Sequence, residues 1–116
     1  MMNVYDKAHE LAKAIKESSE VADITSAMKL VDSDPESKRM LENFRNSQME
    51  LQQRMMSGEM PPQEEMEKME KLFEVLNLNL GIRRLFEAER RLSVVIEDVN
   101  KIISESLQHL YGADAQ

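Results

Sequence analysis

The chain has no cysteine and no tryptophan, and its 116 residues include only 3 glycines, 3 prolines, 3 phenylalanines, 2 tyrosines and 2 histidines. Without cysteine there is no disulfide, no zinc–thiolate site and no thiol nucleophile. Three glycines cannot build a glycine-rich phosphate loop, and the GxSxG, HExxH and Glu-x-x-His patterns of hydrolases, zinc proteases and di-iron bundles are missing. Glu105 and His109 stand four apart and share a helix face, but two ligands do not close a metal site, so they are read as a surface pair. Carboxylates abound as they would on any acidic helix, and without a pocket they carry no acid–base role. The expectation is a protein that is not an enzyme, with no catalytic residue, cofactor or metal. Long apolar runs are missing as well. Nothing approaches the ~20 residues of a membrane span, and Met1–Lys7 lacks the continuous apolar stretch of a secretion signal, so cytoplasmic residence is expected.

What is present is charge and helical periodicity. Twenty-two acidic residues against 15 basic ones leave a net charge of −7. That balance opposes nonspecific attraction to phosphate backbones and anionic lipid, so neither nucleic acid nor membrane is the first partner to consider. The length suits a single helical domain over 1–116. With so few aromatics, its core has to come from Leu, Ile, Val and Met.

Two stripes at alternating three- and four-residue spacing carry most of the information. Leu41, Phe44, Gln48, Leu51 and Met55 form the first, and Met66, Met69, Phe73 and Leu76 the second. Joined through Gly58 and Pro61-Pro62, they predict a long antiparallel helical hairpin. Upstream, Val4, Tyr5, Ala8, Leu11, Ala12 and Ile15 line one face of a first helix, and Val21, Ile24, Met28 and Val31 that of a short second one. Asp34-Pro35 stops the second and starts the third, with Asp34 as N-cap.

Beyond Leu76 the stripe loses phase, since its continuation would demand Arg83 and Glu87. A new stripe of Ile82, Leu85, Glu89, Leu92, Ile96, Val99 and Ile103 implies a break near Asn79, against the rival of one continuous helix with a rotating face. The expected helices are about 3–18, 20–32, 35–57, 62–78 and 80–110, the last ended by Gly112. The fold class is all-α, with short N-terminal helices ahead of the hairpin. A hairpin leaves its long sides to water, and a second copy is the simplest cover, so a helical-bundle homodimer is expected. The expected packing core is Leu41, Phe44, Leu51, Met55, Met66, Met69, Phe73, Leu76, Leu85, Leu92, Ile96 and Val99.

Gln48 and Glu89 are polar residues inside apolar stripes and need partners if buried. Arg45 is the candidate counterion for Glu89 across the packed helices; an edge position reaching water is the alternative. Six of the 10 methionines crowd the hairpin tip. Of these Met55, Met66 and Met69 fit the core, while Met56 and Met60 are the better candidates for contact with a partner, flexible thioethers suiting a surface that repacks. Arg83, Arg84, Arg90 and Arg91 recur seven apart, opposite the apolar stripe. They offer a grip for phosphate or an acidic partner, but no aromatics interleave them to stack bases. A solvated face balanced by Glu87, Glu67, Glu70 and Glu74 is the preferred reading.

The order and spacing of several segments resemble a known family. Val4-Tyr5-Asp6-Lys7-Ala8-His9-Glu10-Leu11, Met40-Leu41-Glu42-Asn43-Phe44-Arg45 with Gln48 and Leu51-Gln52, then Ala88-Glu89 and Asn100-Lys101-Ile102-Ile103, look like the YheA subgroup of the YlbF/YmcA-like proteins of Gram-positive bacteria. The resemblance spans nearly the whole chain. It implies an all-helical, cytoplasmic, dimeric protein of unassigned biochemical activity. Members named YlbF and YmcA are regulatory partners of ribonuclease Y and influence competence, sporulation and biofilm formation, and some hold iron–sulfur clusters on cysteines. This chain has none, so that cofactor does not carry over. The resulting expectation is a regulatory adaptor that binds itself and another regulatory protein or a ribonuclease complex. The alternative is an RNA-associated accessory factor of a ribonuclease that uses the arginine face.

Overall fold

Side-chain oxygens mark the start of four of the five helices. In the computed structural model, which describes residues 3–111, Asn3 accepts from the amides of Tyr5 and Asp6 and caps α1 (Val4–Lys16). Ser18 accepts from Val21 at the head of α2 (Ser19–Asp32). Asp34 accepts from Glu36 to cap α3 (Pro35–Met56), Pro35 occupying the first turn where its missing N–H costs nothing. Asn79 accepts from Ile82 at the head of α5 (Leu80–Glu105). The exception is α4 (Gln63–Leu76), which follows Pro62 without a side-chain cap and carries Glu64 and Glu65 in its first turn, where the helix dipole favours them. Among the described residues there is no strand.

The α3–α4 turn depends on Gly58. Its φ of +89° is left-handed, and the Gly58 and Glu59 amides return to the carbonyls of Met55 and Arg54 at 3.1 and 3.0 Å, a Schellman closure of the helix end. At the far end α5 stops at Glu105, short of the expected 110. The Ser106 amide is shared between the carbonyls of Ile102 and Ile103, its hydroxyl donates to Ile103, and the Leu107 amide bonds to Ser104. These tighter bonds turn the chain into a 3₁₀ turn at Gln108–Leu110. Gly112, the expected stop, lies outside the described residues.

The tightest packing joins α2 to α5 rather than the two arms of the hairpin. A Cβ on Gly81 would lie 3.3 Å from Leu30 Cγ and 3.4 Å from Val31 Cγ2, while Asp23 meets Arg91 further along, so the two helices run antiparallel at close range. Val31, Ile82 and Leu85 from this pair, with Leu76 from the end of α4, are at most 1% exposed. Ala27, Leu41 and Phe44 complete the core, and Ile24, Met28, Met40, Met69, Leu72 and Phe86 pack around it.

The core thus sits where α2, the first half of α3, the end of α4 and the first half of α5 meet. The α3–α4 tip, α1 and the second half of α5 project from it. The Cα radius of gyration is 18.8 Å and the extents are 52 × 36 × 20 Å. A compact chain of about this length has a radius near 13 Å.

This placement corrects the expected core. Leu41, Phe44, Leu76 and Leu85 are buried, but Leu51, Met69, Leu92 and Val99 are only half-buried. Met55, Met66, Phe73 and Ile96 are exposed, and so is Gln48. Two paired helices cover only the strip between them, and along these stretches no third helix among the described residues closes over the stripe.

Candidate interaction surface

At the root of the hairpin the chain's three phenylalanines meet. Phe44 of α3, Phe73 of α4 and Phe86 of α5 have ring centroids 5.9, 5.9 and 5.4 Å apart, Phe73 and Phe86 lying stacked at 13°. Beside them Arg45 donates to both oxygens of Glu89, at 3.0 and 2.8 Å, and its guanidinium lies 6.0 Å from the Phe86 centroid. The two residues named from sequence are therefore joined. They are not buried, since 43% and 36% of their side chains are exposed, because the stripe position of Glu89 falls at the open edge of the α3–α5 seam.

Two features gave no sequence signal strong enough to single them out. Ser37, 3% exposed, donates to Asp34 at 2.7 Å and accepts from Asn79 at 2.6 Å, linking the caps of α3 and α5. Arg54 near the end of α3 reaches Glu65 across the turn at 2.6 Å and Glu59 at 3.5 Å. The hydrogen bond and charge of Glu65 raise the Arg54 pKa. Both are contacts between segments that sequence spacing does not bring together.

The tip itself is rich in exposed thioether. Met56 and Met60 are 81% and 82% exposed, with Met49, Met55 and Met66 also in water. Gln48, Leu51, Gln52, Met55 and Met56 line a shallow depression on α3. Around the methionines the charge is mainly acidic, α4 carrying five glutamates and two lysines.

The four arginines do not act as one patch. Arg84 and Arg91 border an open groove against α2 together with Asp23 and Glu87, and Arg91 reaches Asp23 at 3.7 Å. Arg83 and Arg90 are exposed about a quarter-turn further round α5, and among the described residues neither comes within 4.0 Å of a carboxylate. The expected neutralisation by Glu67, Glu70 and Glu74 is not seen among the described ion pairs. Glu105 and His109 are both exposed, and no cluster of metal-ligating side chains occurs among the described residues. No described helix is long and apolar enough to cross a membrane.

Among the described residues, five α-helices around a small core of aliphatic side chains and Phe44, with open grooves and projecting arms, define a small all-α helical-hairpin protein. The chain belongs to the Com_YlbF family, described as control of competence regulator ComK, YlbF/YmcA, whose sequence model matches residues 4–108. A UPF0342 protein of Alkalihalophilus pseudofirmus is 51% identical over 112 residues, spanning 97% of this chain and 95% of that one. The structure of YheA from Bacillus subtilis superposes with a TM-score of 0.74 at 31% identity, covering 95% of this chain and 100% of the other, in line with the subgroup read from the sequence. Bacillus subtilis RicA, solved in complex with RicF, superposes at 0.64 with 21% identity over 93% of this chain and 96% of its own, a likeness of fold.

Proposed function

We propose that the chain is a non-enzymatic, cytoplasmic, homodimeric adaptor that regulates by binding another protein through the methionine-rich tip of the α3–α4 hairpin. The observation that carries this reading is the pairing of adaptable apolar side chains with a projecting position. Met56 and Met60 stand in water at the end of an arm held together by Gly58 and the Arg54–Glu65 bridge. Unbranched thioethers adapt to a partner's surface at little conformational cost to the scaffold. Membership of a family described by regulation of competence supports a regulatory role, and the fold is compatible with one, since RicA carries it in a complex with RicF.

The RNA-binding alternative draws less support. Arg84 and Arg91 share their groove with Asp23 and Glu87, and the net charge of −7 repels phosphate. The test is capture of protein partners from native cells by tagged wild type and by the Met56→Asp/Met60→Asp variant. The variant should stay folded and lose the specific partner. Equal capture by both would remove the tip from consideration. Steep, salt-sensitive RNA affinity abolished by Arg83→Glu/Arg90→Glu would favour the alternative.

A further inference from the structure

Two further apolar faces stand in water far from the hairpin tip. α1 packs chiefly against α2 and contributes no buried residue, although it is strongly one-faced: Val4 and Tyr5 are 79% and 77% exposed and Leu11 is 38% exposed. The second half of α5 is the other case, with Ile102 at 66% and Ile103 at 52% exposed. A stripe repeated at helical spacing over several turns is costly to leave hydrated, at roughly 25 cal/mol per Å² of apolar area.

We infer that these two faces cover each other between copies, α1 of one protomer lying on the second half of α5 of its partner, twice, around a two-fold axis. This rests on the homodimer reading above and supplies the surfaces that form it. The dimensions agree. Thirteen residues of α1 and the fourteen from Leu92 to Glu105 each make a rod of about 20 Å.

The charges agree as well. α1 carries Lys7, Lys13 and Lys16 against Asp6 and Glu10, whereas α5 from Leu92 onward carries Glu97, Asp98 and Glu105 against Lys101. An α5–α5 pairing would set two acidic stretches together, whereas α1 on the partner's α5 sets a net positive helix against a net negative one. A closed two-fold contact uses both faces of both copies and leaves neither stripe open for further growth.

The test is complementation read by light scattering and analytical ultracentrifugation at micromolar concentration. Wild type should have twice the mass of one chain. Leu11→Asp, damaging α1, and Ile103→Asp, damaging α5, should each retain helical circular dichroism, because both positions are already partly in water, and each should be monomeric. An equimolar mixture should recover a heterodimer at least tenfold tighter than either variant alone, since it restores one intact α1–α5 contact of the two. A monomeric wild type would overturn the homodimer itself. A dimeric wild type whose variants also remain dimeric, or whose variants fall apart without complementing, would leave the homodimer standing and overturn this pairing of faces.

Discussion

Ser37 joins two helix starts with one hydroxyl. It donates to the Asp34 carboxylate that caps α3 and accepts from the Asn79 amide that caps α5, and it is shielded from water. Ser37→Ala would remove both bonds, but Asp34 is exposed and Asn79 half-buried, so water can replace the hydroxyl, and urea unfolding should show a loss of about 0.5–1.5 kcal/mol. In the Arg45–Glu89 pair a single guanidinium nitrogen, Nη2, donates to both carboxylate oxygens, and both side chains face solvent. A double-mutant cycle with Arg45→Ala and Glu89→Ala should give a coupling of only about 0.2–1 kcal/mol, shrinking as salt is added. Gly58 is a third single-residue device. Its φ of +89° is the left-handed region, and a Cβ added there would meet nothing within 4 Å. Gly58→Ala should therefore destabilise by about 1–2 kcal/mol in urea unfolding, through backbone strain alone. Of these residues Glu89 and Gly58 stood out by their positions in the stripe and turn. Ser37 did not, because a serine in the first turn of a helix is ordinary until the cap of another helix is found beside it.

At the scale of helices, the stripes told correctly which residues share a face but not which faces are covered. Leu85 and Met55 both satisfy their stripes, yet Leu85 is 0% exposed and Met55 50%. Leu85→Ala should therefore cost about 2–5 kcal/mol in thermal or urea unfolding, as for other buried leucines, while Met55→Ala should cost well under half as much. The α2–α5 contact is the element pair that decides stability, and it relies on the small size of Gly81. A Cβ there already meets Leu30 and Val31 closely, so the bulkier side chain of Gly81→Val should crowd the contact, and unfolding should register a loss of about 1–3 kcal/mol. Sequence periodicity saw the α3–α4 hairpin because its helices are neighbours in the chain. α2 and α5 are far apart in sequence, and nothing in either stripe names the other as its mate.

For the molecule as a whole, the contrast between a radius of gyration of 18.8 Å and the roughly 13 Å of a compact chain means that much of the apolar face is not closed by the chain itself. If a second copy closes it, stability is shared between folding and association. The thermal midpoint should then rise with protein concentration, and it should lose that dependence in Leu11→Asp and Ile103→Asp. A midpoint independent of concentration over two decades in the wild type would contradict a dimer held by those faces.

Taken by itself, the sequence determined the helical class and the family. Helical period, capping residues and the punctuation of Gly58 and Pro61-Pro62 act locally, and local signals survive without knowledge of the fold. Only the tertiary structure decided that α2 mates with α5, that Ser37 bridges two caps, that Arg45 and Glu89 meet in solvent, and that α1 and the end of α5 are left uncovered. Burial is a property of what lies opposite a side chain, and what lies opposite is set by residues from any other part of the chain.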